Sequence, residues 1–272
     1  MMEPTVMNTQ LALVCLLTFI IHLISTLSFA LKIAGVRTGR IAVSFALANI
    51  LLLVSRTSNT FQGPLLAKHV ERNILQGSLH NIEADFRWLL LSATLATIVG
   101  ALLIPTFQRL FTTAIEVFGR YRSIPRLLFA GLSLRGIESV KKAARVPAKE
   151  NLTRLSWRGI PLSIIVFNTL ATSVLTVGVI ASLYAGYLDP QLRLTANSLS
   201  PVINALSTIL LFVFIDPYLS ILTDDVVSGQ ASEALFRRCV VLFVASRLAG
   251  TILAQLILVP AAHIIVRVAG LL

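Results

Sequence analysis

Long apolar runs separated by short polar or basic stretches set the pattern of this chain, and they predict six spans: residues 10–33, 41–64, 88–107, 160–188, 197–222 and 239–268. A helix needs about 20 predominantly apolar residues to cross the hydrocarbon, and each run meets that length. The runs lack the roughly ten-residue alternation of transmembrane β-strands. Only helices and closed barrels satisfy their backbone groups in lipid. The expected fold is an all-α integral membrane protein of about six transmembrane helices, forming one domain over residues 1–272.

Composition sharpens this. Hydrophobic residues make up 56% of the chain and charged residues 13%, where a soluble domain carries about 25% charged. The opening MMEPTVMNTQ holds no Lys or Arg, so it lacks the basic region of a cleavable signal, and the first run reads as a retained helix. Cys15 and Cys239 fall near opposite membrane faces, which leaves them as packing or lipid-facing residues, with no disulfide, metal site or cofactor expected.

The net charge of +11 is unevenly spread. Lys32, Arg37 and Arg40 flank the first connection, eleven Lys and Arg fall in residues 108–158, and Arg237 and Arg238 precede the last run. All lie on one side of a six-span topology, and cytoplasmic loops retain such residues. Both termini are therefore expected outside, and the basic balance needs no nucleic-acid partner. Within 108–158, Leu110, Phe111, Ala114, Ile115 and Phe118 recur at helical spacing ahead of Arg120, Arg122 and Arg126, a pattern suited to basic interfacial helices beside anionic lipid headgroups.

A shift of 150 residues places the first run on the fourth, Phe86-Arg87 on Phe236-Arg237, and Gly100 on Gly250; a slightly larger shift sets Asn49 on Asn204. The expectation is two related halves, 10–107 and 160–268, joined by the basic segment 108–158. Each half has three spans, so the second enters the membrane inverted, a recurring build for transporters with the substrate path between halves.

Polar residues inside the runs carry the candidate chemistry, because ionisable groups within a bundle face a cavity or one another. Arg56 follows the nearly unbroken apolar residues 41–54, and no acidic residue in the first four spans is available to partner it. It either snorkels to the outer interface or joins Thr57 and Asn59 in a hydrated cavity that meets an anion, for which the guanidinium fork suits phosphate. Asp216 precedes Pro217, so the fifth span is expected to break or kink there. Counted from the cytoplasmic ends, Asp216 and Arg247 reach similar depths, which allows an ion pair that locks two helices or serves a pathway. His22 is either hydrogen-bonded to a neighbouring helix or part of a relay. Asn49 and Asn204 add neutral hydrogen-bonding capacity. No metalloprotease, triad or glycine-rich phosphate motif is visible.

The stretches AGVRTGRIAVSFALANILLLVSRTSN (34–59), LYAGYLDPQLRLTANSLSPVINALSTILL (183–211) and FIDPYLSILTDD (214–225) resemble those of the Amj-type lipid II flippases, a family that serves as an alternative to the MurJ-type flippases. The resemblance covers the whole chain, with GVRTGR and SRTSN as its most specific blocks. It implies a bacterial cytoplasmic-membrane protein that moves lipid II, the undecaprenyl-pyrophosphate-linked peptidoglycan precursor, outward for cell wall synthesis. Its partners would be lipid II and membrane lipids. With that substrate, Arg56, Arg247, His22, Asn49, Thr57, Asn59, Asn204 and Asp216 are candidate contacts along the path, and Arg37 and Arg40 would capture the headgroup at the cytoplasmic mouth. The chemistry also accommodates a transporter of another anionic or polyprenyl-phosphate lipid, an intramembrane enzyme acting on a polyprenyl (pyro)phosphate, and a scaffold whose polar residues only join helices.

Overall fold

The computed structural model describes residues 9–76, 81–121, 143 and 159–272, without the side chains at 56, 76 and 119–121. Most of the basic segment in which interfacial helices are expected, residues 122–142 and 144–158, lies outside the described residues. The described chain is all helical: α1 (Thr9–Thr38), α2 (Ile41–Gln76), α3 (Ile82–Tyr121), α4 (Leu162–Leu188), α5 (Arg193–Ser198), α6 (Ser200–Leu210), α7 (Asp216–Val227) and α8 (Glu233–Leu271). Among the described residues, six segments are long and apolar enough to cross a membrane, the fifth being Pro190–Val227. The protein is a multi-pass membrane protein.

Several helices outrun the apolar runs that announce them. Helix α2 continues through Pro64 to Gln76, and α3 continues through Pro105 to Tyr121. A proline removes one backbone donor, and in a membrane bundle neighbouring groups and small local adjustments compensate. Leu110 to Phe118, read from sequence as the start of an interfacial helix, are instead the last turns of α3. Ile115 is fully buried there, clustered with Leu31 and Ala34 of α1 and Leu47 of α2.

Helix α1 packs along both α2 and α3, and α4 packs along both α6 and α8. These two triplets meet chiefly where α3 lies along α8. Close approach inside each triplet depends on a glycine. A Cβ on Gly100 of α3 would stand 2.8 Å from Thr26 Cβ of α1, and one on Gly250 of α8 would stand 2.7 Å from both Thr172 Cβ and the Thr169 carbonyl of α4. Only hydrogen at those positions lets the backbones meet. The turn between α1 and α2 is made by Gly39 at φ 64°, a conformation that costs glycine little.

The fifth span is irregular where the sequence predicts. A π-helical turn, Leu211–Ile215, separates α6 from α7, and Pro217 falls in the first turn of α7, where its missing donor would be unused anyway.

Candidate functional site

Two apolar clusters plug the two ends of the bundle. At the end bearing Asn81, Leu11, Leu66, Phe86, Tyr184 and Leu258 pack together. At the end bearing Gly39, Phe29, Ile33, Leu219, Phe236 and Phe243 do the same. Between the plugs runs a layer of buried polar side chains: Thr18, His22 and Thr26 of α1, Thr97 of α3, Asn168, Thr172 and Ser173 of α4, and Ser246 and Thr251 of α8.

Most of this layer is satisfied within the bundle. Thr26 and Thr97 donate to the carbonyl four residues back, and Gln62 of α2 donates to Thr18 at 2.9 Å. Asn168 reaches from α4 to α8, donating to Ser246 Oγ at 2.7 Å and to the Phe243 carbonyl at 3.1 Å. These contacts fix helix register.

Two basic side chains in the layer are left over. His22 Nδ1 and Arg247 Nε are buried and have no hydrogen-bond partner, and the two groups lie within each other's electrostatic field. The Arg37–Glu233 contact sets the register of α1 against α8 and brings Arg247 to about the level of His22. The Gln62–Thr18 and Ser44–Leu31 bonds set α1 against α2 and bring the backbone of residue 56 to that same level. From His22 each end of α1 is about 20 to 25 Å away at ~1.5 Å per residue, so all three basic residues sit at mid-depth.

An unpaired cation at that depth is costly, because several kcal/mol of desolvation stand uncompensated. A native bundle keeps such a group only if something else supplies the negative charge.

The ion pair allowed between Asp216 and Arg247 is not formed. Asp216 instead stands 3.8 Å from Lys32 of α1. Similar counts from the helix ends, Val227 for α7 and Glu233 for α8, do not bring the two side chains together, because a residue count says nothing of which neighbour a side chain faces. Phe29 and Ile33, close to Lys32 on α1, share an apolar cluster with Cys239, which is about 12 Å along α8 from Arg247 at ~1.5 Å per residue.

The remaining predicted residues scatter. Arg37 donates to Glu233 at 3.1 Å, with Arg237 on the same carboxylate at 2.7 Å, while Arg40 is exposed beside the Gly39 turn. Asn49, Thr57 and Asn59 are exposed on α2, because its packed stripe runs through Ser44, Ser55, Ser58 and Gln62 at the three-to-four spacing of a helix face. The Arg56 side chain lies outside the described residues. Asn204 turns its Oδ1, buried and without a partner, onto Gly178 of α4, about 15 Å from the level of Asn168 at ~1.5 Å per residue.

Sequence reasoning passed over the contacts at the two ends. At the Asn81 end, Glu83 accepts from Arg87 at 2.8 Å and from the Tyr184 hydroxyl at 3.2 Å. His69 and Asp85 meet at 2.7 Å, the carboxylate being fully buried. Gln10 donates to the Leu65 carbonyl and accepts from Arg72. The available signal was the spacing of Ser55, Ser58, Gln62, His69 and Asn73, one polar stripe along α2.

A comparison with known families matches residues 17–269 to the family described as "Amj: Alternate to MurJ". The chain belongs to the Amj family. A relative in that comparison set, the "Lipid II flippase Amj" of Bacillus subtilis (strain 168), is 36% identical over 261 residues, which cover 96% of this chain and 97% of that protein. No solved structure matches the chain.

Proposed function

We propose that this chain is a lipid II flippase, carrying the undecaprenyl-pyrophosphate-linked precursor from the cytoplasmic to the outer leaflet of the bacterial cytoplasmic membrane for peptidoglycan synthesis. The name of its full-length relative supports the substrate. The mid-depth layer supports the chemistry. A flippase must give a pyrophosphate and its sugars a hydrophilic path while the polyprenyl tail stays in lipid. The observation that carries the reading is Arg247, its Nε buried and without a hydrogen-bond partner, with His22 at about the same level and no acidic partner among the described residues. Guanidinium stays protonated and offers parallel charge-assisted bonds to phosphate oxygens. In this reading Arg56 is the second cation at the same level, the neutral Asn, Ser and Thr groups serve the sugars, and Arg37 and Arg40 gather the headgroup at the cytoplasmic mouth.

Orientation follows the basic connections, which makes the Gly39 end cytoplasmic, the Asn81 end external, and both termini external. The matched Gly100–Thr26 and Gly250–Thr172 crossings support two inverted three-helix halves, and rocking between them gives alternating access. With an apolar plug at each end, the described arrangement corresponds to a closed stage of that cycle.

The test is growth of cells depleted of their other lipid II flippase, with this chain supplied in its place and the lipid products analysed. Rescue with chemically unchanged lipid II supports the reading. Release of phosphate or an altered headgroup would make the protein an enzyme on the same substrate, and failure to rescue at normal membrane levels would redirect it to another anionic lipid.

A further inference from the structure

Lys32 is the cation that a headgroup would meet next after Arg37 and Arg40 on entering past the cytoplasmic end of α1, and it lies across the seam between the two triplets. Its Nζ is 3.8 Å from Asp216 Oδ1, with side-chain exposures of 25% and 46%, and 5.7 Å from the centroid of the Phe29 ring. At 3.8 Å the contact is an ion pair too long for a hydrogen bond. At that distance the pair is looser than Arg37 at 3.1 Å and Arg237 at 2.7 Å on Glu233.

Asp216 is the first residue of α7, directly after the π-helical turn and directly before Pro217. Turns of this kind concentrate at functional sites, and a proline joint lets the two sides of a helix reorient without breaking further backbone bonds. The carboxylate therefore sits on the joint of the fifth span, and its bond to Lys32 is the ionic contact between α1 and α7 among the described residues.

We propose that Lys32 is the entry subsite for the pyrophosphate, held ready by Asp216, and that exchange of the carboxylate for the diphosphate releases α7 to move about the π turn. The inference rests on the flippase reading and adds a residue to it. A diphosphate carries more charge than a carboxylate and can accept from several ammonium protons at once, so it displaces Asp216 without demanding that Lys32 move. The released α7 opens the seam laterally, and the polyprenyl chain can stay in lipid as the headgroup passes inward. Lys32 lies about 15 Å from His22 along α1 at ~1.5 Å per residue, which places it one step before the mid-depth cations.

The roles differ, so the two partners should respond oppositely. Binding of undecaprenyl pyrophosphate to the full chain in nanodiscs is measured for wild type, Lys32→Gln, Lys32→Arg and Asp216→Asn, with thermal midpoints alongside. Lys32→Gln should weaken binding about tenfold, Lys32→Arg should retain it, and Asp216→Asn should tighten it, because the carboxylate that competes for Lys32 is gone. A pair that is only structural predicts equal losses in Lys32→Gln and Asp216→Asn, with lowered midpoints, and that result overturns the proposal. Should Lys32→Gln fail to fold, the Asp216→Asn arm decides: binding that is unchanged or weakened overturns it. Wild type that binds no undecaprenyl pyrophosphate would instead bring down the flippase reading itself, whereas wild-type binding matched by Lys32→Gln removes only Lys32.

Discussion

Arg87 and Gln255 hold each other reciprocally across the seam between α3 and α8: Arg87 Nη1 donates to the Gln255 carbonyl at 3.2 Å, and Gln255 Nε2 donates to the Arg87 carbonyl at 3.0 Å. Arg87 also pairs with Glu83, which takes the Tyr184 hydroxyl from α4. One short polar cluster therefore joins three helices from both triplets at the Asn81 end, opposite the Lys32–Asp216 and Arg37–Glu233 contacts at the Gly39 end. A protein that opens alternately must break one set while keeping the other.

Gln255→Leu removes one of the reciprocal bonds and keeps the side chain's bulk. Arg87 is exposed, so the loss of stability should be about 1 kcal/mol, the usual net value of such a bond. Cysteine labelling of the Asn81 end in membranes should rise in parallel. An unchanged labelling rate would show that this cluster does not hold the seam closed.

The two glycine crossings should differ in tolerance. A methyl group on Gly250 would meet the Thr169 carbonyl oxygen, a backbone atom, at 2.7 Å, whereas one on Gly100 meets only side-chain atoms of Thr26. Gly250→Ala is expected to cost about 2 to 3 kcal/mol by overpacking, and Gly100→Ala less. Thr26→Gly, which removes the Cβ that stands 2.8 Å from the new methyl group, should couple favourably with Gly100→Ala, which a double-mutant cycle of unfolding in detergent would detect.

The buried Asp85–His69 contact joins α3 to α2 outside the mid-depth layer. Asp85→Ala removes a buried hydrogen bond to a carboxylate and should destabilise by about 2 kcal/mol. Asp85→Asn keeps shape and one acceptor and should cost less. Equal melting of wild type and Asp85→Ala would show the contact to be dispensable.

The six spans were legible because membrane crossing imposes a length and an apolar content on each helix, and the break at Asp216–Pro217 because proline acts locally. Helix ends were harder. Residues 65–76 of α2 are polar enough to fall outside the apolar run, and 108–118 of α3 read as a separate interfacial helix, whereas packing against neighbouring helices continues both spans. The Asp216–Arg247 pair rested on depth alone, and depth does not say which neighbour a side chain faces: Asp216 turns to Lys32 of α1. Arg247 and His22 were legible as charges at depth, but their nearness to each other depends on how the triplets dock, and one sequence does not encode that visibly. Lys32 was counted only as a loop-flanking charge.

The account stands on Arg247 receiving the pyrophosphate at mid-depth. The direct measurement is transbilayer movement of lipid II by purified wild type and Arg247→Gln in proteoliposomes, at matched protein content and matched thermal midpoint. Losing a charge-assisted contact worth about 3 kcal/mol predicts movement slowed about 100-fold or more in Arg247→Gln, with Arg56→Ala similarly impaired. Wild-type rates in both variants would contradict the account.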